Sequence, residues 1–122
     1  MMSIEDFHSQ ILLLKEKNFS IVVEGVKDRR VLEFFGITNI IILNRPLFEI
    51  VELVAGQTND CVILTDLDNE GKKIYSILAE DLRHRGVRID NVFRNFLFKE
   101  TKLRQIEGLK TYVGRFVESL HF

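Results

Sequence analysis

Hydrophobic positions along the chain follow two spacings, which predict alternating helices and strands. Runs of consecutive apolar residues are typical of strands covered on both faces. Between these runs, apolar residues recur every three or four positions, as on one face of a helix, and in the fourth helix the inner face is expected at Ile74, Ile77, Leu78 and Leu82. The expected helix ends are Ser3 as the first N-cap and the C-terminal glycines 36, 56 and 86. The predicted strands are 19–23, 39–43, 60–65 and a weaker 87–93, and the predicted helices are 4–18, 27–35, 47–55, 69–85 and 102–121.

This order of elements predicts an α/β fold. Strands that alternate with helices at short intervals favour right-handed crossovers and a mostly parallel sheet between two helical layers. We therefore expect a three-layer sandwich with a central, four-stranded Rossmann-like sheet, plus N- and C-terminal helices. The 122 residues suit a single domain, 1–122, with a core over about 19–95 and a C-terminal helical extension over about 102–121.

The charge balance excludes a polycationic protein, because 17 basic residues face 18 acidic ones. The distribution is uneven, however, and a basic strip is predicted at Arg83, Arg85, Arg88, Arg94, Lys99, Lys102 and Arg104. Such a strip would follow the phosphate backbone of DNA or RNA, although a hydrated surface explains it equally well. Three phenylalanines alternate within it, at 93, 96 and 98, as in an edge strand or a base-stacking surface, and they are assigned no role.

The single cysteine, Cys61, lies in an apolar predicted strand, which indicates a buried thiol without redox chemistry. The N-terminal residues lack the long apolar run of a signal peptide, and no segment approaches the length of a membrane span. We therefore expect a cytoplasmic protein without a membrane partner.

Acidic residues follow two of the predicted strands. Glu24 ends the first strand, and Asp66 and Asp68 follow the third with one residue between them. If the strand order is second, first, third, fourth, these acids flank the switch point at which α/β sheets bind ligands. Residues two apart at a strand end point to the same side, so Asp66 and Asp68 are expected to share one ion. Together with Glu24 they predict a divalent-cation site, and its oxygen ligands favour Mg²⁺ or Mn²⁺.

Three other interpretations of the aspartates compete with a metal site. A turn or helix-cap role is the simplest. The run 66–71 also imitates the start of an EF-hand loop, but a strand precedes it, and Ile77 stands where a bidentate Glu is required. A haloacid-dehalogenase-like phosphatase also places Asp-x-Asp after a strand, but its later Ser/Thr, Lys and acidic motifs cannot be located in this chain.

The Glu24-Gly25 pair after the first strand, and Asp66-x-Asp68 with Gly71 after the third, resemble the motifs of the Toprim family. This family includes topoisomerases, bacterial primases and ribosomal-RNA maturases. The resemblance spans about residues 19–95, includes the run Val-Glu-Gly-Val-Lys-Asp at 23–28, and is closest to small stand-alone and maturase-type domains. It implies Mg²⁺-dependent phosphoryl transfer on nucleic acid, with Glu24 as general acid/base and Asp66 and Asp68 as metal-binding acids.

Glycines and basic residues near these acids are candidates for phosphate contact. The glycines would let the backbone approach a phosphate, and the helix after Gly71 begins with an anion-favouring N-terminus. The candidates for phosphate or nucleic-acid binding are Gly25, Lys27, Gly71, Lys72, Lys73, Arg83, Arg85 and Arg88.

Two classes of function fit the sequence. The first is a metal-dependent enzyme, either a nuclease or a primase-like nucleotidyl transferase acting on DNA or RNA. The second is a non-catalytic module that binds nucleic acid or docks a partner, as the recombination-mediator members of the Toprim family do. A protein partner or a homodimer suits either class, because so small a domain buries little substrate.

Overall fold

The computed structural model describes residues 3–118. Within them, four strands form one sheet: β1 (Ser20–Val23), β2 (Ile40–Ile42), β3 (Asp60–Ile63) and β4 (Arg88–Ile89). The helices are α1 (Ile4–Lys17), α2 (Val26–Phe34), α3 (Leu47–Gln57), α4 (Asn69–His84), α5 (Val92–Glu100), a short 3-10 helix (Ile106–Gly108) and α6 (Leu109–Glu118).

The sheet has the order β2-β1-β3-β4, and every neighbouring pair of strands is parallel. Side chains of the central strand β1 alternate between two hydrophobic cores, as the pleat of a strand requires. Ile21 and Val23 pack against α1, α2, α5 and α6, while Val22 packs on the other face against α3 and α4. The predicted α/β three-layer sandwich and its strand order are therefore confirmed.

Most predicted helix ends are also confirmed. Ser3 caps α1 by accepting a hydrogen bond from the Asp6 N–H at 3.0 Å. Gly36 and Gly86, with φ of 82° and 81°, follow α2 and α4 in the left-handed conformation that favours glycine. Gly56 was expected to end α3, but that helix continues to Gln57.

The predicted fourth strand is mostly wrong. Only Arg88–Ile89 pair with the sheet, and Val92–Glu100 form α5 instead. Asp90 accepts a hydrogen bond from the Val92 N–H at 3.0 Å, and this turn starts the helix. The three phenylalanines of this segment therefore lie on a helix rather than on an edge strand.

Two further expectations about helices need correction. The predicted C-terminal helix does not begin at 102, because residues 101–105 are non-helical and α6 begins at Leu109; residues 119–121 of that prediction lie outside the described residues. Ile77 was expected on the inner face of α4, but it is 48% exposed. Cys61 is buried as predicted, and burial raises the pKa of its thiol to about 12.

In the range 3–118, the longest apolar helical stretches are too short or too polar to cross a membrane.

Candidate active site

Glu24 and Asp66 lie together just beyond the carboxyl ends of β1 and β3. The two strands are neighbours, with Val22 opposite Ile63, so the residues that follow them meet at the same edge of the sheet. Glu24 Oε2 accepts a hydrogen bond from the backbone N–H of Asp66 at 2.7 Å. We call Glu24 and Asp66 the acidic pair. The strand order that the sequence analysis gave as the condition for this meeting is the order in the structure.

The electrostatics of the acidic pair disfavour negative charge on Glu24. Burial raises the pKa of Glu24 above its ordinary value of 4.5, and the charges of Asp66 and Asp28 raise it further. The hydrogen bond from the Asp66 amide acts in the opposite direction. A positive ion placed here would therefore be stabilised by carboxylates that otherwise repel each other.

Asp28 is a third acid of this region, and the sequence analysis did not assign it to the site. It is 6% exposed, and its Oδ2 accepts a hydrogen bond from the Gly25 N–H at 2.9 Å, which closes the first turn of α2. Burial raises the pKa of Asp28, and the charges of Asp66 and Glu107 add to that effect. The signal that was missed is the capping-box spacing between Gly25 and Asp28.

Asp68 has a different local role from Asp66. It is the N-cap of α4, and its Oδ1 accepts a hydrogen bond from the Gly71 N–H at 2.8 Å. The Oδ1 of Asp66 instead accepts one from the Ile106 N–H at 2.9 Å. The helix-cap interpretation is therefore confirmed for Asp68. The ion shared by Asp66 and Asp68 stays a prediction, and no three Asp, Glu, His or Cys side chains between residues 3 and 118 are grouped to hold a metal.

The acidic pair still fits Mg²⁺ or Mn²⁺ chemically. Proteins commonly hold Mg²⁺ through one or two carboxylates, while water and substrate phosphates complete the coordination. One oxygen of each carboxylate accepts a backbone hydrogen bond, Glu24 from Asp66 and Asp66 from Ile106, and each carboxylate has a second oxygen. The raised pKa of Glu24 marks a position where added positive charge is favourable.

Gly71 holds the start of α4 against the loop that follows β3. A Cβ at this position would overlap the carbonyl oxygen of Asp66 and lie 2.6 Å from its carbonyl carbon. The Oγ1 of buried Thr65 donates a hydrogen bond to the Gly71 carbonyl at 2.7 Å, closing the same turn. Gly71 was predicted to let the backbone approach a phosphate. In the structure, the close approach is to Asp66.

Arg94 fixes the same loop from inside the protein. Its guanidinium donates hydrogen bonds to the carbonyls of Thr65 at 2.5 Å and Asp66 at 3.2 Å, and it lies 4.6 Å from the ring centroid of Tyr75. Burial lowers the pKa of Arg94, an effect opposed by nearby negative charges that include Glu24 and Asp66. Its predicted place in an exposed basic strip is wrong, because it is only 7% exposed.

The rest of the predicted basic strip is divided between two ends of the molecule. Arg83 and Arg85 lie at the C-terminal end of α4. This helix has 16 residues and is about 24 Å long, and the acids lie at its other end. Arg88 begins β4 and forms a two-pronged ion pair with Asp60 at 2.8 and 3.0 Å. These arginines occupy the opposite edge of the sheet from the acidic pair. A continuous strip is therefore wrong, while nucleic-acid contact by these three residues stays a prediction.

The basic residues that do lie near the acids are on the first turns of helices and on the segment after α5. Lys27 and Lys73 are exposed at the starts of α2 and α4. Lys72 and Arg104 both approach the ring of Phe98. The contact of Lys72 and Arg104 with one ring could not be predicted, because no helix was expected between the predicted strand 87–93 and residue 102.

Comparison with known proteins identifies the family. The UPF0292 protein of Methanocaldococcus jannaschii is 33% identical over 109 residues, which cover 85% of each chain. The UPF0292 protein of Thermococcus sibiricus is 37% identical over 113 residues, covering 89% of this chain and 88% of its own. The chain belongs to the UPF0292 family.

Solved structures extend the comparison for this UPF0292 member. A protein from Aquifex aeolicus has a TM-score of 0.76 and 31% identity, over 88% of this chain and 98% of its own. The zinc-binding and RNA polymerase domains of the Aquifex aeolicus primase align with a TM-score of 0.49, over 66% of this chain and 20% of theirs. That score is below the level that indicates a shared fold. No protein-family model matches the chain.

Proposed function

We propose that this chain is a stand-alone Toprim-like domain that catalyses Mg²⁺- or Mn²⁺-dependent phosphoryl transfer on DNA or RNA. The reaction is phosphodiester cleavage or nucleotidyl transfer. The observation that best supports the proposal is the acidic pair, in which Glu24 accepts the Asp66 N–H at 2.7 Å beyond adjacent parallel strands. This edge, at the switch in strand order, is where open α/β sheets bind ligands.

Glu24 is the general acid/base of the proposed reaction. Its burial and the charges of Asp66 and Asp28 raise its pKa, which favours proton exchange closer to neutral pH. It takes a proton from the attacking oxygen or returns one to the leaving oxygen. The hydrogen bond from the Asp66 N–H holds one oxygen of Glu24 in place.

Asp66 and Glu24 would hold the metal. Asp68, two residues after Asp66 on the same loop, is the third proposed ligand. A bound Mg²⁺ or Mn²⁺ supplies positive charge for phosphate oxygens and lowers the pKa of an attacking water or hydroxyl. Lys27 and Lys73 are exposed on the first turns of α2 and α4, where they attract the phosphate backbone. Buried Arg94 keeps the carbonyls of the Asp66 loop fixed while substrate binds.

A second candidate function is a non-catalytic module of the recombination-mediator kind, which binds nucleic acid or docks a partner. The observation that favours it is the helix-cap role of Asp68, whose Oδ1 is engaged by the Gly71 N–H. With Asp68 held as a cap, fewer carboxylate oxygens remain for a catalytic metal. Both candidates are compatible with nucleic-acid binding, but only the first predicts turnover.

The test is an assay with labelled single-stranded DNA, duplex DNA and RNA, with nucleoside triphosphates, in Mg²⁺, Mn²⁺ or EDTA. We expect metal-dependent product from at least one substrate. Glu24→Gln should lower the rate by about 10²–10⁴-fold while nucleic-acid affinity is kept. Glu49→Gln, at an exposed position of α3, is the matched control and should retain the wild-type rate.

Two outcomes contradict the enzymatic proposal. One is product formation that continues unchanged in EDTA, and the other is a wild-type rate in Glu24→Gln. Nucleic-acid binding without product from any substrate selects the binding module instead.

A further inference from the structure

An exposed aromatic ring on α5 has two cations over it, and both cations belong to segments bonded to the loop that carries Asp66. Phe98, on α5, is 48% exposed. Lys72 Nζ lies 4.8 Å from its ring centroid, and the guanidinium carbon of Arg104 lies 5.7 Å from it. We call Lys72, Phe98 and Arg104 the aromatic patch. The two other phenylalanines of α5 differ from Phe98, since Phe93 is buried and Phe96 packs against the core.

The aromatic patch is anchored to the loop that carries the acids. The carbonyl of Arg104 accepts a hydrogen bond from the N–H of Leu67, the residue between Asp66 and Asp68, at 2.6 Å. The N–H of Lys72 donates to the carbonyl of Asp68 at 2.9 Å. Both cations of the patch are therefore tied by their backbones to the same short loop. A ligand bound on the patch would therefore lie next to the loop that runs from Asp66 to Asp68.

We infer that the aromatic patch is a stacking platform for an unpaired base of single-stranded DNA or RNA. Lys72 and Arg104 are exposed and lie over the ring, so a stacking base would displace a cation from the ring face. The displaced cation would then pair with a phosphate that flanks that base. Bases inside a duplex already stack on each other, so the platform selects single strands and unpaired ends. This inference deepens the proposed function, on which it rests for the substrate class, by naming the strand form that is bound.

The chain offers a matched control in Phe34. This ring is 59% exposed, and Lys110 Nζ lies 4.1 Å from its centroid, so it is also an exposed ring with a cation over it. Phe34 is the last residue of α2, whereas Gly25 caps the first turn of that helix next to Glu24. A general affinity of exposed rings for nucleic acid would therefore affect Phe34 and Phe98 alike.

Because the sequence contains no tryptophan, one substitution gives a site-specific fluorescent probe. Phe98→Trp and Phe34→Trp would be titrated in EDTA with oligo(dT), oligo(U), an abasic oligodeoxynucleotide of equal length, and a blunt duplex. We expect oligo(dT) or oligo(U) to quench the tryptophan at position 98. The abasic strand and the duplex should quench it far less at equal occupancy, and the tryptophan at position 34 should not respond.

Affinity provides the second measurement. Phe98→Ala should weaken binding of the quenching oligonucleotide by about tenfold or more, in the range typical of losing one stacked base, and Phe34→Ala should bind like wild type. Circular dichroism melting of each variant separates loss of the patch from loss of the fold. Equal quenching by the abasic strand, equal quenching at both positions, or wild-type affinity in folded Phe98→Ala would overturn the inference.

These titrations contain EDTA, so their result does not depend on a metal or on catalysis. Base-dependent quenching without turnover in the activity assay supports the stacking platform and rejects the enzymatic proposal. If the protein shows turnover, but position 98 shows no base-dependent quenching and Phe98→Ala binds like wild type, the stacking platform alone is rejected.

Discussion

Gly71 lies so close to Asp66 that no side chain fits between them. A Cβ on Gly71 would overlap the carbonyl oxygen of Asp66 and lie 2.6 Å from its carbonyl carbon and 2.8 Å from its nitrogen. The obstacle is backbone, which cannot rotate away as a flexible side chain can. The position of the Asp66 carboxylate therefore depends on glycine at the start of α4.

Substituting two helical glycines should have opposite effects on stability. Gly71→Ala should lower the free energy of unfolding by about 1–3 kcal/mol or more, because the Asp66 backbone must move. Gly56→Ala on α3 should raise it by about 0.4–1 kcal/mol, since a Cβ there meets nothing within 4 Å. Urea denaturation measures both. A Gly71→Ala protein as stable as wild type would show that the close approach is not required.

Arg94 should be required for stability although it is a charged residue. Arg94→Ala removes hydrogen bonds to the carbonyls of Thr65 and Asp66, and should cost about 1.5–3 kcal/mol in the free energy of unfolding. Arg94→Lys should restore little, because one ammonium cannot replace a two-pronged guanidinium. Arg85→Ala, at an exposed position, should change stability by less than about 0.5 kcal/mol. If thermal melts show that Arg94→Lys is as stable as wild type, the two-pronged hydrogen bonding of Arg94 is not required for stability.

Glu24 should reduce stability at neutral pH in the absence of metal. Burial and nearby acids raise the pKa of Glu24 in the folded protein above 4.5. The stabilising contribution of protonated Glu24 to the fold is therefore fully present below pH 4.5 and is lost as the pH rises through the folded pKa. Glu24→Gln keeps a hydrogen-bond acceptor for the Asp66 N–H but removes the charge. The variant should therefore gain stability relative to wild type near neutral pH, and the gain should shrink in acid.

Melting curves of wild type and Glu24→Gln in EDTA, from about pH 4 to about pH 8, test this directly. A stability difference that is the same at every pH would show that Glu24 ionisation does not destabilise the fold.

The sequence predicted the sheet well because buried parallel strands and capped helices leave strong local signals. The apolar runs around Val22 and Ile63 identified β1 and β3, and Gly36 and Gly86 marked the ends of α2 and α4. The predicted strand 87–93 ran past β4 because Val92 and Phe93 continue its apolar residues, and the rest of α5 was not predicted. The helix there is fixed by packing of Phe93 and Leu97 into the core, which local pattern does not reveal.

The acidic pair could be predicted because it follows from strand order, whereas its supporting residues could not. Arg94 was predicted to lie on the surface, and only the position of α5 shows that it is buried. The bond from the Ile106 N–H to Asp66 joins residues 40 positions apart. The aromatic patch likewise joins Lys72 and Arg104 through a ring on a helix that the sequence pattern did not predict.

The central claim is that the acidic pair binds a divalent cation for phosphoryl transfer, and calorimetric titration of Mg²⁺ and Mn²⁺ tests it most directly. Asp66→Asn is the decisive variant, because its amide oxygen can still accept the Ile106 N–H while the charge is lost. We predict saturable binding to wild type and to Glu49→Gln, with sharply weaker binding to Asp66→Asn and to the Asp66→Asn/Asp68→Asn double variant. Equal cation binding by wild type and a folded double variant would contradict the account.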